Sequence, residues 1–224
     1  VSRVFLLGDI LNTRQMVHIG AQSAAMKFIG KLLAEFPNVH VIVGNHDMHL
    51  RHSRSVTSLD ALSLEPLSSR LTLHKEVEVI NADGVPVLMI PYHHNEVELQ
   101  HKLEQLQNEH SDTSNIVAMA HLSITGAISN KRAGMKFQGF LETKLFAPFK
   151  RTFSGHFHSH QTLTQENDQG GPVTYVGSPL QFNFGDLNDE QRGVILYKPE
   201  SDEFELSPNP HAVRFVEVPI SEVK

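Results

Sequence analysis

The sequence predicts an α/β fold, and three features carry that expectation. The apolar run Arg3–Leu7, a helical stripe between Met16 and Phe36 and a second apolar run, Val39–Val43, follow one another as strand, helix and strand. Both runs close on a polar turn led by glycine, Gly8-Asp9 and Gly44-Asn45-His46-Asp47, which is where open α/β sheets carry functional groups. The 224 residues, 40% apolar and 20% charged, suffice for one domain over 1–224 with a substantial core.

Each element has its own signal. In the first helix Ile19, Met26, Ile29, Leu33 and Phe36 recur at helical intervals, and Pro37-Asn38 stops it. Ser53–Leu67 is serine-rich and reads as irregular, with a short helix around Ser58–Ser63. Val77–Ile80 and Val85–Ile90 flank Asn81-Ala82-Asp83-Gly84, a hairpin turn because Asp-Gly tolerates positive φ. Leu99, Leu103 and Leu106 mark a second helix. Ile116–Ala120 is a strand ending on His121, and Arg151–Ser154 is one ending on Gly155-His156-Phe157-His158. Val173–Val176, Gly193–Lys198, Glu203–Leu206 and Val213–Val218 have strand composition, and Gln165–Gly171 reads as a turn or exposed loop. There is no internal repeat.

Composition narrows the chemistry. The absence of cysteine removes disulfides, thiolate ligands and a thiol nucleophile, so any metal must sit on His, Asp, Glu or Asn. Fifteen histidines stand against 19 Lys+Arg. A net charge of −6 argues against a strongly basic nucleic-acid surface, though not against a nuclease whose metals supply positive charge locally. No apolar run approaches the roughly 20 residues of a spanning helix, so no membrane is expected. The chain enters a strand directly after Val1 without a secretory leader, which points to a trimmed amino terminus and to a cytoplasmic place, or a nuclear or organellar one in a eukaryote, rather than secretion.

Four strand ends in succession finish on groups able to bind a cation: Asp9; Asn45 with His46 and Asp47; His121; and His156 with His158. In an α/β sheet such ends converge on one edge, and carboxylate, amide oxygen and imidazole together suit a hard or borderline divalent cation. Any one of these residues alone is more often a turn or a satisfied polar group. In this order, each after an apolar strand, they resemble the motifs of the calcineurin-like metallophosphoesterase superfamily, from Gly8 to about Tyr197. Tyr175-Val176-Gly177-Ser178-Pro179-Leu180-Gln181-Phe182-Asn183-Phe184-Gly185-Asp186 is most similar to the stretch after the His-x-His motif in the Mre11, SbcD and phage recombination-nuclease group, and Ile90-Pro91-Tyr92 fits the same group.

The resemblance implies a four-layer α/β/β/α sandwich and two divalent cations, Mn²⁺ first, with Mg²⁺, Fe²⁺ or Zn²⁺ as alternatives. Asp9 would bridge them, Asn45, His121 and His156 would complete the second site, and His158 would belong to the first. His46 would stabilise the transition state and protonate the leaving oxygen, with Asp47 hydrogen-bonded behind it to set its orientation. A metal-bridging hydroxide would attack phosphorus in line. The implied substrate is a DNA end, cut as a 3′→5′ exonuclease with some single-strand endonuclease activity; the implied partners are a second copy of the chain and a Rad50/SbcC-type ATPase. Arg14, Arg51 and Arg54 are the candidate phosphate contacts, and His49 and His52 read as loop surface.

Two departures accompany the resemblance. The opening Asp-x-His motif is absent, and Gly-Asp-Ile-Leu-Asn places Asn12 where relatives have aspartate. A chain lacking its first strand is the expected explanation, and in that form it would hold the first metal through Asp9 and His158 alone and could be inactive. Val213–Ile220 resembles the strand that leads towards a capping domain, which would lie beyond Lys224. Two rival readings share the scaffold: a phosphatase or phosphodiesterase for protein or small-molecule phosphates, and a non-catalytic partner-binding module.

Overall fold

A computed structural model describes residues 3–63, 69–110, 112–164 and 171–222. In chain order the strands and α-helices are β1 (Arg3–Leu6), α1 (Ile19–Glu35), β2 (Asn38–Ile42), β3 (Met48–Leu50), β4 (Ser53–Thr57), β5 (Leu71–His74), β6 (Glu78–Ala82), β7 (Val85–Ile90), α2 (Glu96–Glu109), β8 (Val117–His121), β9 (Ile128–Asn130), β10 (Met135–Lys136), β11 (Arg151–Gly155), β12 (Gln161–Leu163), β13 (Val173–Tyr175), β14 (Gly193–Lys198) and β15 (Glu203–Pro208). The fold is α/β. One sheet is parallel, in the order β1-β2-β5. A six-stranded sheet is mixed, in the order β12-β13-β11-β8-β7-β6, with its four inner strands parallel and both edge strands antiparallel, and β3–β4, β9–β10 and β14–β15 form two-stranded sheets.

Alternation along the strands sorts side chains into three cores. Val4, Leu6, Val39 and Val41 face α1 and meet its buried Ile29 and Leu33. On the opposite face of the same sheet, Phe5, Leu7 and Ile42 meet Val87, Met89, Val117, Met119 and Phe153 of the six-stranded sheet. Beyond that sheet, Leu88, Ile90, Ala118 and Ala120 pack on Leu99 and Leu103 of α2. Two sheets pressed together bring the carboxyl ends of β1, β2, β8 and β11 into one neighbourhood.

The local signals hold where a pattern meets a partner. His18 caps α1, its Nδ1 accepting from Gly20 N at 3.1 Å, and Phe36 N donates back to Leu32 O at 2.8 Å before Pro37, which has no N–H, ends the helix. Ile19 is 81% exposed, so the buried part of the apolar stripe starts at Ile29 rather than at the helix's first residue. The β6–β7 hairpin turns through Asp83 (φ 55°) and Gly84 (φ 89°), as expected of Asp-Gly. The helix expected near Ser58–Ser63 is a 3₁₀ turn at Asp60–Ser63.

Elsewhere the structure differs. The irregular stretch after Ser53 contains β4, paired with β3, and β5 follows it; these strands are short and polar, and pairing decides them rather than composition. Val213–Val218 is not a strand. Gln181 N donates to Val213 O and Phe215 N to Gln181 Oε1, no ladder forms, and Val213, Val216 and Val218 face solvent. Of the expected Gln165–Gly171 turn, residues 165–170 lie outside the described residues, as do 64–67 of the serine-rich stretch. Among the described residues no helix is long and apolar enough to cross a membrane.

Candidate metal centre

The centre is built on two abutting turns. Beyond β1, Gly8 (φ 86°) and Asp9 (φ 55°) occupy the left-handed region, and a Cβ on Gly8 would lie 2.5 Å from His121 Nδ1 and 2.7 Å from Gly44 Cα. A Cβ on Gly44 would collide with Asp9. Glycine at both places lets the ends of β1 and β2 touch. Asp47 then fastens them: its fully buried carboxylate accepts from Gly44 N at 2.9 Å, Asp9 N at 2.7 Å and Leu11 N at 3.3 Å. Burial pushes this carboxyl up to about 6, with the negative charge of Asp9 adding to it and the Gly44 N–H opposing.

Four acceptor atoms converge in front of this junction. His121 donates from Nδ1 to Leu7 O (2.7 Å), so its Nε2 carries the free lone pair. That Nε2 lies 3.0 Å from Asn45 Oδ1, 3.2 Å from His156 Nδ1 and 3.3 Å from Asp9 Oδ2. His156 Nδ1 is also 2.9 Å from Asn45 Oδ1, and its Nε2 is 3.1 Å from Ser123 Oγ. The ligand atoms of Asp9, His121 and His156 all lie within 4.8 Å of one another. His156 holds φ at 88°, an unfavourable value for a non-glycine residue, to aim its ring inward.

Lone pairs crowded like this call for positive charge at their centre. Burial disfavours the His121 imidazolium, yet the Asp9 carboxylate overrides that and raises its pKa. Burial also works against the Asp9 carboxylate, and His121 with the His46 N–H (2.8 Å to Oδ1) holds its pKa below the usual range. Burial, then neighbouring His121, lowers His156 to about 3, so it stays a neutral donor. In the alternative orientation of the Asn45 amide, Nδ2 faces His121, His156 and Asp9, and Oδ1 accepts from Arg14 Nη2 at 3.1 Å. With Oδ1 inward, one carboxylate, one amide oxygen and two imidazoles form an oxygen–nitrogen donor set that suits a borderline divalent cation.

Over 208 residues, 90% of the chain, the sequence is 28% identical to exonuclease subunit 1 of Enterobacteria phage T4. The chain spans about half (54%) of that protein's length. It matches no family model.

Asp9, Asn45, His121 and His156 thus meet, as their strand-end positions predict. His158 stands outside the cluster, its half-exposed ring 3.3 Å from Asp186 Oδ1 through Nδ1. His46 lies at the rim with Nδ1 2.7 Å from Asn12 O. The expected hydrogen bond from Asp47 to the His46 ring is not made, because the Asp47 carboxylate is engaged by backbone N–H groups. Arg14 reaches Asn45, and Arg51 is exposed in the β3–β4 turn. Arg54 is not a free cation: it binds Lys75 O, Tyr92 O (3.0 Å) and Glu76 Oε2 (3.1 Å), clamping β4 beside an open cleft of about 310 Å³.

Four contributors have no expected role. Tyr92 packs face-on to His156 and edge-on to His121, each with centroids 6.1 Å apart. Ser123 and the Leu7 carbonyl orient the two imidazoles, and neither carries a sequence signal. Asp186 does carry one, since Asn183-x-x-Asp186 is a capping-box spacing and the structure forms that box.

Proposed function

We propose that this chain is the catalytic core of a metal-dependent nuclease that hydrolyses phosphodiesters at DNA ends. The observation that carries the reading is the convergence of Asp9, Asn45, His121 and His156 on one charge-deficient point, in a chain similar over most of its length to an exonuclease subunit. The three cores, α1 on a sheet, sheet on sheet and sheet on α2, support the four-layer sandwich that the sequence motifs imply. Asp9, Asn45, His121 and His156 would hold one cation; Asp9 and His158 would serve a second, and Mn²⁺ is the ion we assign to both.

When bound, the cations would polarise the phosphate and supply a hydroxide nucleophile near neutral pH. The chain does the rest. With the Nδ1–H of His46 spent on Asn12 O, Nε2 is the atom that would take up a second proton and hand it to the leaving oxygen. Arg14, within reach of Asn45, is placed to hold a phosphate oxygen. Asp47 fixes the two turns that aim Asp9, Asn45 and His46. A dimer and a Rad50/SbcC-type ATPase partner belong to the same reading, as does a cytoplasmic location.

The test compares three substrates with Mn²⁺ present: a nitrophenyl phosphate monoester, its diester and end-labelled duplex DNA. The nuclease reading expects the DNA and the diester to be cut and the monoester to lag far behind. Dominant monoesterase activity with intact DNA would favour a phosphatase, and no hydrolysis of any of the three would favour a binding module.

A further inference from the structure

Beside the cluster, a tightly fastened segment holds an aromatic ring in solvent. Phe182 is 57% exposed. Its backbone N–H nevertheless donates to Oδ2 of buried Asp186 at 2.8 Å, and the same oxygen takes Asn183 N at 3.2 Å. Preceding Gln181 is buried and bonds Val213 O through its N–H and Asp189 O through Nε2. Behind them the fully buried Arg192 pairs with Asp189 at 2.9 Å and lies 3.7 Å from Asp186. Buried ion-paired groups thus fix the backbone under an apolar ring that packing does not cover.

The surroundings of the ring indicate its use. Phe184 is equally exposed but leans on Phe215, with centroids 4.8 Å apart. The ring partner of Phe182 is His158, at 5.4 Å, two residues from His156 of the cluster. Asp186 links the two, since Oδ1 faces His158 Nδ1 while Oδ2 holds the Phe182 N–H. With a net charge of −6 and Arg54 already engaged, the surface offers few free cations for a strand backbone, and stacking on a ring face is a sequence-tolerant contribution that needs none.

We propose that Phe182 is a stacking platform for a nucleobase of the DNA strand whose phosphate occupies the Asp9–His156 cluster. This rests on the nuclease reading. The platform grips a single-stranded or frayed end, and it contributes to substrate binding independently of base identity.

Binding is measured in EDTA with oligonucleotides carrying 2-aminopurine, or an abasic tetrahydrofuran, at each of the last three positions in turn. Wild type should quench 2-aminopurine at one position, and Phe182→Ala should lose the quench and weaken binding about 5- to 150-fold, the range of one base–aromatic stack. Phe182→Tyr and Phe182→Trp should restore both. The alanine penalty should collapse when the abasic site occupies the quenched position. An equal penalty on base and abasic strands, or no penalty at all, overturns the platform and leaves the nuclease reading standing. A wild-type protein that neither binds nor cuts DNA overturns that reading and the platform with it.

Discussion

At the centre, single residues divide into those that converge on a point and those that hold them there. The His46 ring does neither: the residue's backbone N–H holds Asp9, but the ring stands at the rim, fixed by Asn12 O. His46→Ala should therefore leave Mn²⁺ content unchanged by elemental analysis while turnover of labelled DNA falls by about 10²- to 10⁴-fold, the usual worth of a general acid. Loss of bound metal, or retained turnover, would remove His46 from that role. The converging set was legible because its members stand at strand ends, and strand ends converge in this fold class. The function of Asp47 was not, since a carboxylate beside His46 in sequence reads as its partner, whereas burial forces it to satisfy the backbone N–H groups of Gly44 and Asp9. Arg54 was misleading for the same reason: its three acceptors come from β5–β6 and the end of β7, far away in sequence.

Among elements, β1, β2 and β5 carry an ordered polar chain at the seam with β6. Asp83 binds Arg3, whose Nη1 donates to His40 Nε2 at 3.1 Å; His40 Nδ1 lies 3.0 Å from His74 Nε2, and His74 Nδ1 lies 2.8 Å from Glu78 Oε1. Every bond is satisfied with both imidazoles neutral, and Phe5 stacks on His40 at 5.0 Å. Burial, then His74 and Arg3, lowers His40 from 6.5 to about 4, against the charge of Asp83. Protonation would put a hydrogen on Nε2 facing a guanidinium. The folded state thus binds fewer protons than the unfolded chain between about pH 4 and 6.5, so stability present above that window declines as pH falls through it, with a slope approaching about 1.4 kcal/mol per pH unit from this site. Denaturant unfolding of wild type and His40→Asn across that window should show the slope reduced in the variant; parallel profiles would contradict the assignment. Apolar runs announced β1, β2, β7 and β8, whereas β11 has Phe153 as its one large apolar side chain. By contrast, β5 and the β3–β4 hairpin exist through their pairing partners, and Val213–Val218 shows the converse, strand composition without a partner.

For the whole molecule, the two larger sheets matter because they bring four strand ends, separated by more than a hundred residues of chain, around one point, a cluster of oxygen and nitrogen atoms. The chain spans about half of the T4 exonuclease subunit it matches, so the activity assigned to it is that of the core, with partners and further domains as part of the proposal. The central claim is that this point binds a divalent cation and that DNA hydrolysis depends on it. The direct measurement is release of labelled nucleotide from a DNA end as Mn²⁺ is titrated into metal-stripped protein, for wild type and Asn45→Ala. Hydrolysis absent in chelator, restored by Mn²⁺, and shifted about 10- to 100-fold towards higher Mn²⁺ in the variant is the predicted result. Hydrolysis that persists in chelator, or a variant curve that overlays the wild type, would contradict the account.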